Sequence, residues 1–121
     1  MSTNQALVKV LTDSGLAQFG DALVNFAISI ALTEQTGRPR GTKVPDKVLA
    51  EAAVQAGLRK YLPKRLGRGE VANSVEALLG HAWLTKVMTL EEISASLRAA
   101  NLTQADSFAK LAGIALSRFK T

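Results

Sequence analysis

Residues 16–32 read Leu16-Ala17-Gln18-Phe19-Gly20-Asp21-Ala22-Leu23-Val24-Asn25-Phe26-Ala27-Ile28-Ser29-Ile30-Ala31-Leu32. Apolar side chains recur here at three- and four-residue spacing and cover most of the circumference, which places the segment as a helix at the centre of a bundle. One carboxylate, Asp21, interrupts it. An ionised acid in an apolar setting costs several kcal/mol or more unless it is paired or holds a cation. A second stretch repeats the arrangement: Val71 to Leu84 is equally apolar and carries Glu76 in its middle. Asn25 stands four residues after Asp21 and Asn73 three before Glu76, spacings that put each amide on the face of its acid. Gly20 adjoins Asp21 and Gly80 follows Glu76 by one turn. A helical glycine costs about 1 kcal/mol against alanine, so two of them beside the two acids point to close approach of backbones or of a ligand. Asp21 and Glu76, with Asn73 and Asn25 beside them, are therefore the candidate site. The competing reading pairs both acids with Lys or Arg, or leaves them on exposed stripes.

Working outward, the same periodicity predicts helices throughout and an all-α bundle. A first helix is expected over Asn4–Thr12, the long one over Leu16–Gln35 ending at Thr36-Gly37, and a third from Pro45-Asp46 to Ala56, stopped at Gly57. The connector LRKYLPKRLGRG has room for one helical turn before Pro63. The next helix is expected over Glu70–Val87. Thr89 with Glu92 forms a capping-box pattern starting a helix to about Asn101, and Thr103 with Asp106 starts a last one to Phe119. No repeat or interdomain linker stands out, so residues 1–121 read as one domain.

The chain has no cysteine, which excludes disulfides, thiolate metal sites and a cysteine nucleophile. No signal-peptide pattern opens it, and Asn25 and Ser29 break the most apolar run, Ala22–Leu32; the expectation is a cytoplasmic protein without a membrane partner. The net charge is +5, and its placement is uneven. Nine basic residues, Arg38, Arg40, Lys43, Lys47, Arg59, Lys60, Lys64, Arg65 and Arg68, face only Asp46 and Glu51 across one third of the chain. Such a block suits a polyanion such as nucleic acid, although a solvated basic face has the same composition. His81, the only histidine, reads as a packing or surface residue, and Trp83 as core.

Leu16-Ala17-Gln18-Phe19-Gly20-Asp21-Ala22-Leu23-Val24 resembles the first signature of the ribonuclease III family, and Asn73-Ser74-Val75-Glu76-Ala77-Leu78-Leu79-Gly80 is similar to its second. Between them, Gly57-Leu58-Arg59-Lys60-Tyr61-Leu62 and Gly67-Arg68-Gly69-Glu70 look like the family's middle elements. The similarity spans about Leu16 to Leu84. Longer members carry two further acids, at the positions of Ala17 and Asn73 here. Mini ribonuclease III, which lacks a separate RNA-binding domain, also has a small residue at the Ala17 position, and Phe19–Phe26 resembles most closely a short archaeal branch.

The resemblance implies a ribonuclease III-type catalytic domain, homodimeric, hydrolysing phosphodiesters of double-stranded or structured RNA to 5′-phosphate and 3′-hydroxyl ends. It implies Asp21 and Glu76 as catalytic residues and metal ligands, Asn73 as a further ligand and Asn25 in support. The metal would be Mg²⁺, with Mn²⁺ as the alternative, since hard oxygen donors suit both. The nine basic residues would track RNA phosphates. Two other classes compete: a catalytically reduced RNA-binding protein on the same fold, for instance ribosome-associated, which Ala17 and Asn73 favour, and a helical dimerisation module without an RNA role.

Overall fold

The computed structural model describes residues 3–99 and 101–119. Within them the chain forms six α-helices: α1 (Thr3–Leu11), α2 (Ser14–Thr36), α3 (Asp46–Gln55), α4 (Arg68–Leu84), α5 (Leu90–Leu97) and α6 (Gln104–Ser117), with a 3-10 turn over Leu58–Tyr61. No strand occurs among the described residues. The caps explain most of the boundaries. The Asp13 carboxylate accepts from the Leu16 N–H at 2.8 Å, so α2 begins at Ser14, two residues before the apolar run. It stops at Gly37, whose φ of 72° only glycine adopts freely and whose N–H donates to Thr33 O. Both capping boxes form: the Glu92 N–H donates to Thr89 Oγ1 at 3.0 Å and the Asp106 N–H to Thr103 Oγ1 at 3.1 Å.

Three helices end earlier than their sequence pattern predicts, α6 among them at Ser117 rather than Phe119. α4 ends at Leu84, not Val87, because Lys86 takes a left-handed conformation (φ 64°). The Val87 N–H then reaches back to Ala82 O at 3.0 Å and the Lys86 N–H to Trp83 O at 3.0 Å, a Schellman closure built without glycine. α5 ends at Leu97 rather than near Asn101. Its next residue, Arg98, is tied to the far end of α2, pairing with Glu34 and accepting from Gln35 Nε2 at 3.1 Å.

α4 is the central helix. From Val71 to Ala82 only Asn73 and His81 escape full burial, and the helix contacts α1, α2, α3 and α6. Around it the core continues through Leu49, Leu58, Met88, Ile93, Phe108 and Leu111, each worth about 1.5–3 kcal/mol of apolar burial. α2 makes the most extensive contact with α4, and two glycines permit it. A Cβ on Gly20 would lie 1.8 Å from Glu76 O, and one on Gly80 3.1 Å from Leu16 O. The close approach is thus between the backbones of the two acid-bearing helices.

α2 is buried on one face only. Ala17, Gly20, Leu23, Val24, Ala27, Ile28 and Ala31 face the bundle, while Phe19 and Phe26 are 37% and 58% exposed. Trp83 is not core either: it is 39% exposed and meets Phe19 at a ring-centroid distance of 5.6 Å. By length and composition α2 is long and apolar enough to cross a membrane; its packing against α4 accounts for the apolar face that the bundle buries.

Candidate active site

The glycine-mediated crossing fixes where the two acids meet. Gly20 lies against the backbone of Glu76, so Asp21, the next residue of α2, projects beside the Glu76 side chain. Glu76 is only 3% exposed. Burial, a hydrogen bond with Asp21 and the negative charges of Asp21 and Asp46 push its carboxyl up to about 8, against which Lys43 pulls in the other direction. At neutral pH, without a cation, Glu76 therefore favours its protonated form.

Asparagines flank the pair on both sides. Asn25 Nδ2 donates to Asp21 Oδ1 at 3.2 Å, and Asn25 Oδ1 accepts from the Val44 N–H at 2.7 Å. One amide thus orients Asp21 and anchors the chain entering α3. Asn73, oriented by its hydrogen-bond network, donates from its amide nitrogen to Glu76 Oε1 at 3.2 Å and to Gly69 O at 3.1 Å. In this orientation the nitrogen, rather than the carbonyl oxygen, faces Glu76.

Asp21, Glu76 and Asn73 line one open cleft of about 260 Å³ together with Ser14, Ala17, Gln18 and Asp46. A second cavity, about 330 Å³ between α1, α2 and the Leu62–Leu66 connector, shares Ser14, Ala17 and Asn73 with it. Ala17 lines both. Asp46 is the residue that the sequence pattern did not single out. The one signal was an acid inside a run of nine basic residues, and it read as the first-turn acid of α3.

The basic residues spread over several elements. Arg38, Arg40 and Lys43 lie on the α2–α3 loop, Lys47 on the first turn of α3, Lys60, Lys64 and Arg65 around the 3-10 turn, and Arg68 at the start of α4; all are exposed. Arg59 differs. It is half-buried, and its guanidinium donates to Pro63 O at 3.0 Å and Lys64 O at 2.9 Å, clamping the connector. Lys43 connects the basic loop to the acids, since its charge acts on Glu76. His81 stacks on Phe119 at 5.4 Å, in a separate cavity with Leu78 and Arg118, and burial lowers its pKa.

The fold is thus a helical bundle in which two helices cross at paired glycines and bring an aspartate and a glutamate to one cleft. The sequence model of the Ribonuclease III family matches residues 14–118, which takes in everything from the start of α2 to the end of α6. The chain belongs to the ribonuclease III family. No curated protein matches the sequence.

Ribonuclease III enzymes generally depend on a divalent metal. The donors in the cleft fit such an ion in kind: Asp21, Glu76 and Asp46 offer hard carboxylate oxygen. Among the described residues no three His, Cys, Asp or Glu side chains converge closely enough to chelate an ion directly.

Proposed function

We propose that the protein is a metal-dependent endoribonuclease that hydrolyses phosphodiester bonds in double-stranded or structured RNA, leaving 5′-phosphate and 3′-hydroxyl ends. The observation that carries this reading is the Asp21–Glu76 pair, brought to one cleft by the α2–α4 crossing. Asp21 and Glu76 hold the cation, Mg²⁺ or Mn²⁺, with Asn73 and Asn25 positioning them. When bound, the ion supplies a Lewis acid at the phosphate and lowers the pKa of attacking water. The chain's own part is to release the Glu76 proton, present two carboxylates on one face of the cleft and keep Asp21 oriented through Asn25. His81 lies in a different cavity, so the acids do the site's proton chemistry.

Duplex RNA is recognised by shape, phosphates and 2′-hydroxyls. The exposed Arg38, Arg40, Lys43, Lys47, Lys60, Lys64, Arg65 and Arg68 track the phosphates, and Arg59 holds the connector that carries Lys64 and Arg65. The outward face of α2 serves a second copy of the chain: Phe26, Ile30 and Pro39 line an apolar groove, with exposed Phe19, Trp83 and Leu84 at its acid-bearing end. The enzyme works as a homodimer in the cytoplasm. Its test is end mapping: a long duplex RNA incubated with protein and Mg²⁺ yields fragments with 5′-phosphates, and none with EDTA. The second reading, an RNA-binding protein without nuclease activity, is favoured by Ala17 and by the lack of a three-residue chelating cluster among the described residues. RNA retention without cleavage under any divalent cation would establish it.

A further inference from the structure

We infer that Asp46 is the third carboxylate of the cation site, binding the ion's water shell from the first turn of α3; this rests on the metal-dependent reading above. Three observations place it there. Asp46 lines the same cleft as Asp21, Glu76 and Asn73. Its Oδ2 lies 3.5 Å from where a Cβ on Gly69 would sit, so the carboxylate leans on the α4 stripe that runs Gly69, Asn73, Glu76. Among the described residues it has no hydrogen-bond or ion-pair partner of its own.

The position is also fixed by the chain before it. The Val44 N–H is anchored to Asn25 Oδ1 at 2.7 Å, Val44 is buried, and Pro45 sets φ at −64° ahead of α3. Leu49, one turn on, is fully buried. The amide that orients Asp21 therefore also anchors the chain that leads to Asp46. An acid serving only to complement the α3 dipole needs no such aim at the cleft. Direct chelation is not required, since a hydrated divalent ion accepts carboxylates through its waters, and outer-shell groups of this kind change affinity about 10- to 100-fold.

The test is Mn²⁺ binding to the RNA-free protein, read as loss of the free-ion electron paramagnetic resonance signal. Asp46→Asn should weaken binding about tenfold and Asp46→Glu should restore part of it. Glu51→Gln, which removes the same charge from the exposed side of α3, should leave binding within about twofold. Circular dichroism confirms that each variant is folded. Asp21→Asn, in the same titration, abolishes binding if the metal reading holds. Wild-type binding that Asp21→Asn removes and Asp46→Asn leaves unchanged overturns the role of Asp46 while the endonuclease stands. No Mn²⁺ binding by the wild type overturns both.

Discussion

Replacing Glu76 by glutamine removes the one group whose ionisation the fold resists most. In the cation-free protein the Glu76 carboxyl sits at about 8, against 4.5 for the free side chain. The folded state therefore binds a proton more tightly than the unfolded chain does. Between pH 4.5 and 8 the unfolded chain has lost that proton and the folded one keeps it, so stability is full below pH 4.5 and falls as pH rises toward 8. At 1.36 kcal/mol per pKa unit the loss approaches about 4–5 kcal/mol, a large part of the 5–15 kcal/mol that holds a typical domain together. Glutamine keeps the size and cannot ionise. Urea unfolding followed by circular dichroism, at fixed protein concentration in EDTA, should show wild type and Glu76→Gln within about 1 kcal/mol of each other at pH 4.5. At pH 8 the variant should be the more stable by several kcal/mol. His81, whose lowered pKa tilts stability the opposite way below its ordinary 6.5, contributes equally to both proteins and drops out of the difference. Mg²⁺ at pH 8 should stabilise the wild type and not the variant, because cation binding displaces the Glu76 proton. Parallel curves across pH 4.5–8 would refute the coupled acid pair.

The other consequences concern packing, RNA and assembly. Gly20→Ala forces a methyl to 1.8 Å from Glu76 O and should cost about 3 kcal/mol or more despite its better helix propensity, whereas Gly113→Ala, on α6 with open space around it, should gain about 0.5–1 kcal/mol; equal melting shifts would show that the α2–α4 crossing is not that tight. Replacing Lys60, Lys64 and Arg65 by alanine should weaken binding to all duplex RNAs alike and flatten its dependence on salt, and filter binding across salt concentrations checks both. Phe26→Asp should shift the protein from dimer to monomer in light scattering at micromolar concentration; a wild type that is already monomeric there removes the proposed interface.

What the sequence shows and hides follows from how each feature is made. The acids and glycines of α2 and α4 were legible because each is costly where it stands. A carboxylate or a glycine inside an apolar helix demands a reason, and the crossing of the two backbones supplies it. Thr89 and Thr103 were legible because a capping box is local chemistry. The end of α4 was not, since a left-handed Lys86 closes it where glycine is the usual sign. Nor was the end of α5, fixed by contacts between Arg98 and residues more than sixty positions away. Trp83 reads as core by type, yet lies half-open beside Phe19. Asp46 was hidden for a further reason. An acid in the first turn of a helix is ordinary, and only the folded chain brings it to the cleft of Asp21 and Glu76.

Cleavage of a long duplex RNA by wild type and Asp21→Asn, side by side, with Mg²⁺, with Mn²⁺ and with EDTA, tests the central claim most directly. The wild type should yield fragments with either cation and none in EDTA, and the folded Asp21→Asn variant should yield none under any condition. Cleavage by Asp21→Asn at the wild-type rate, or by the wild type in EDTA, would contradict it.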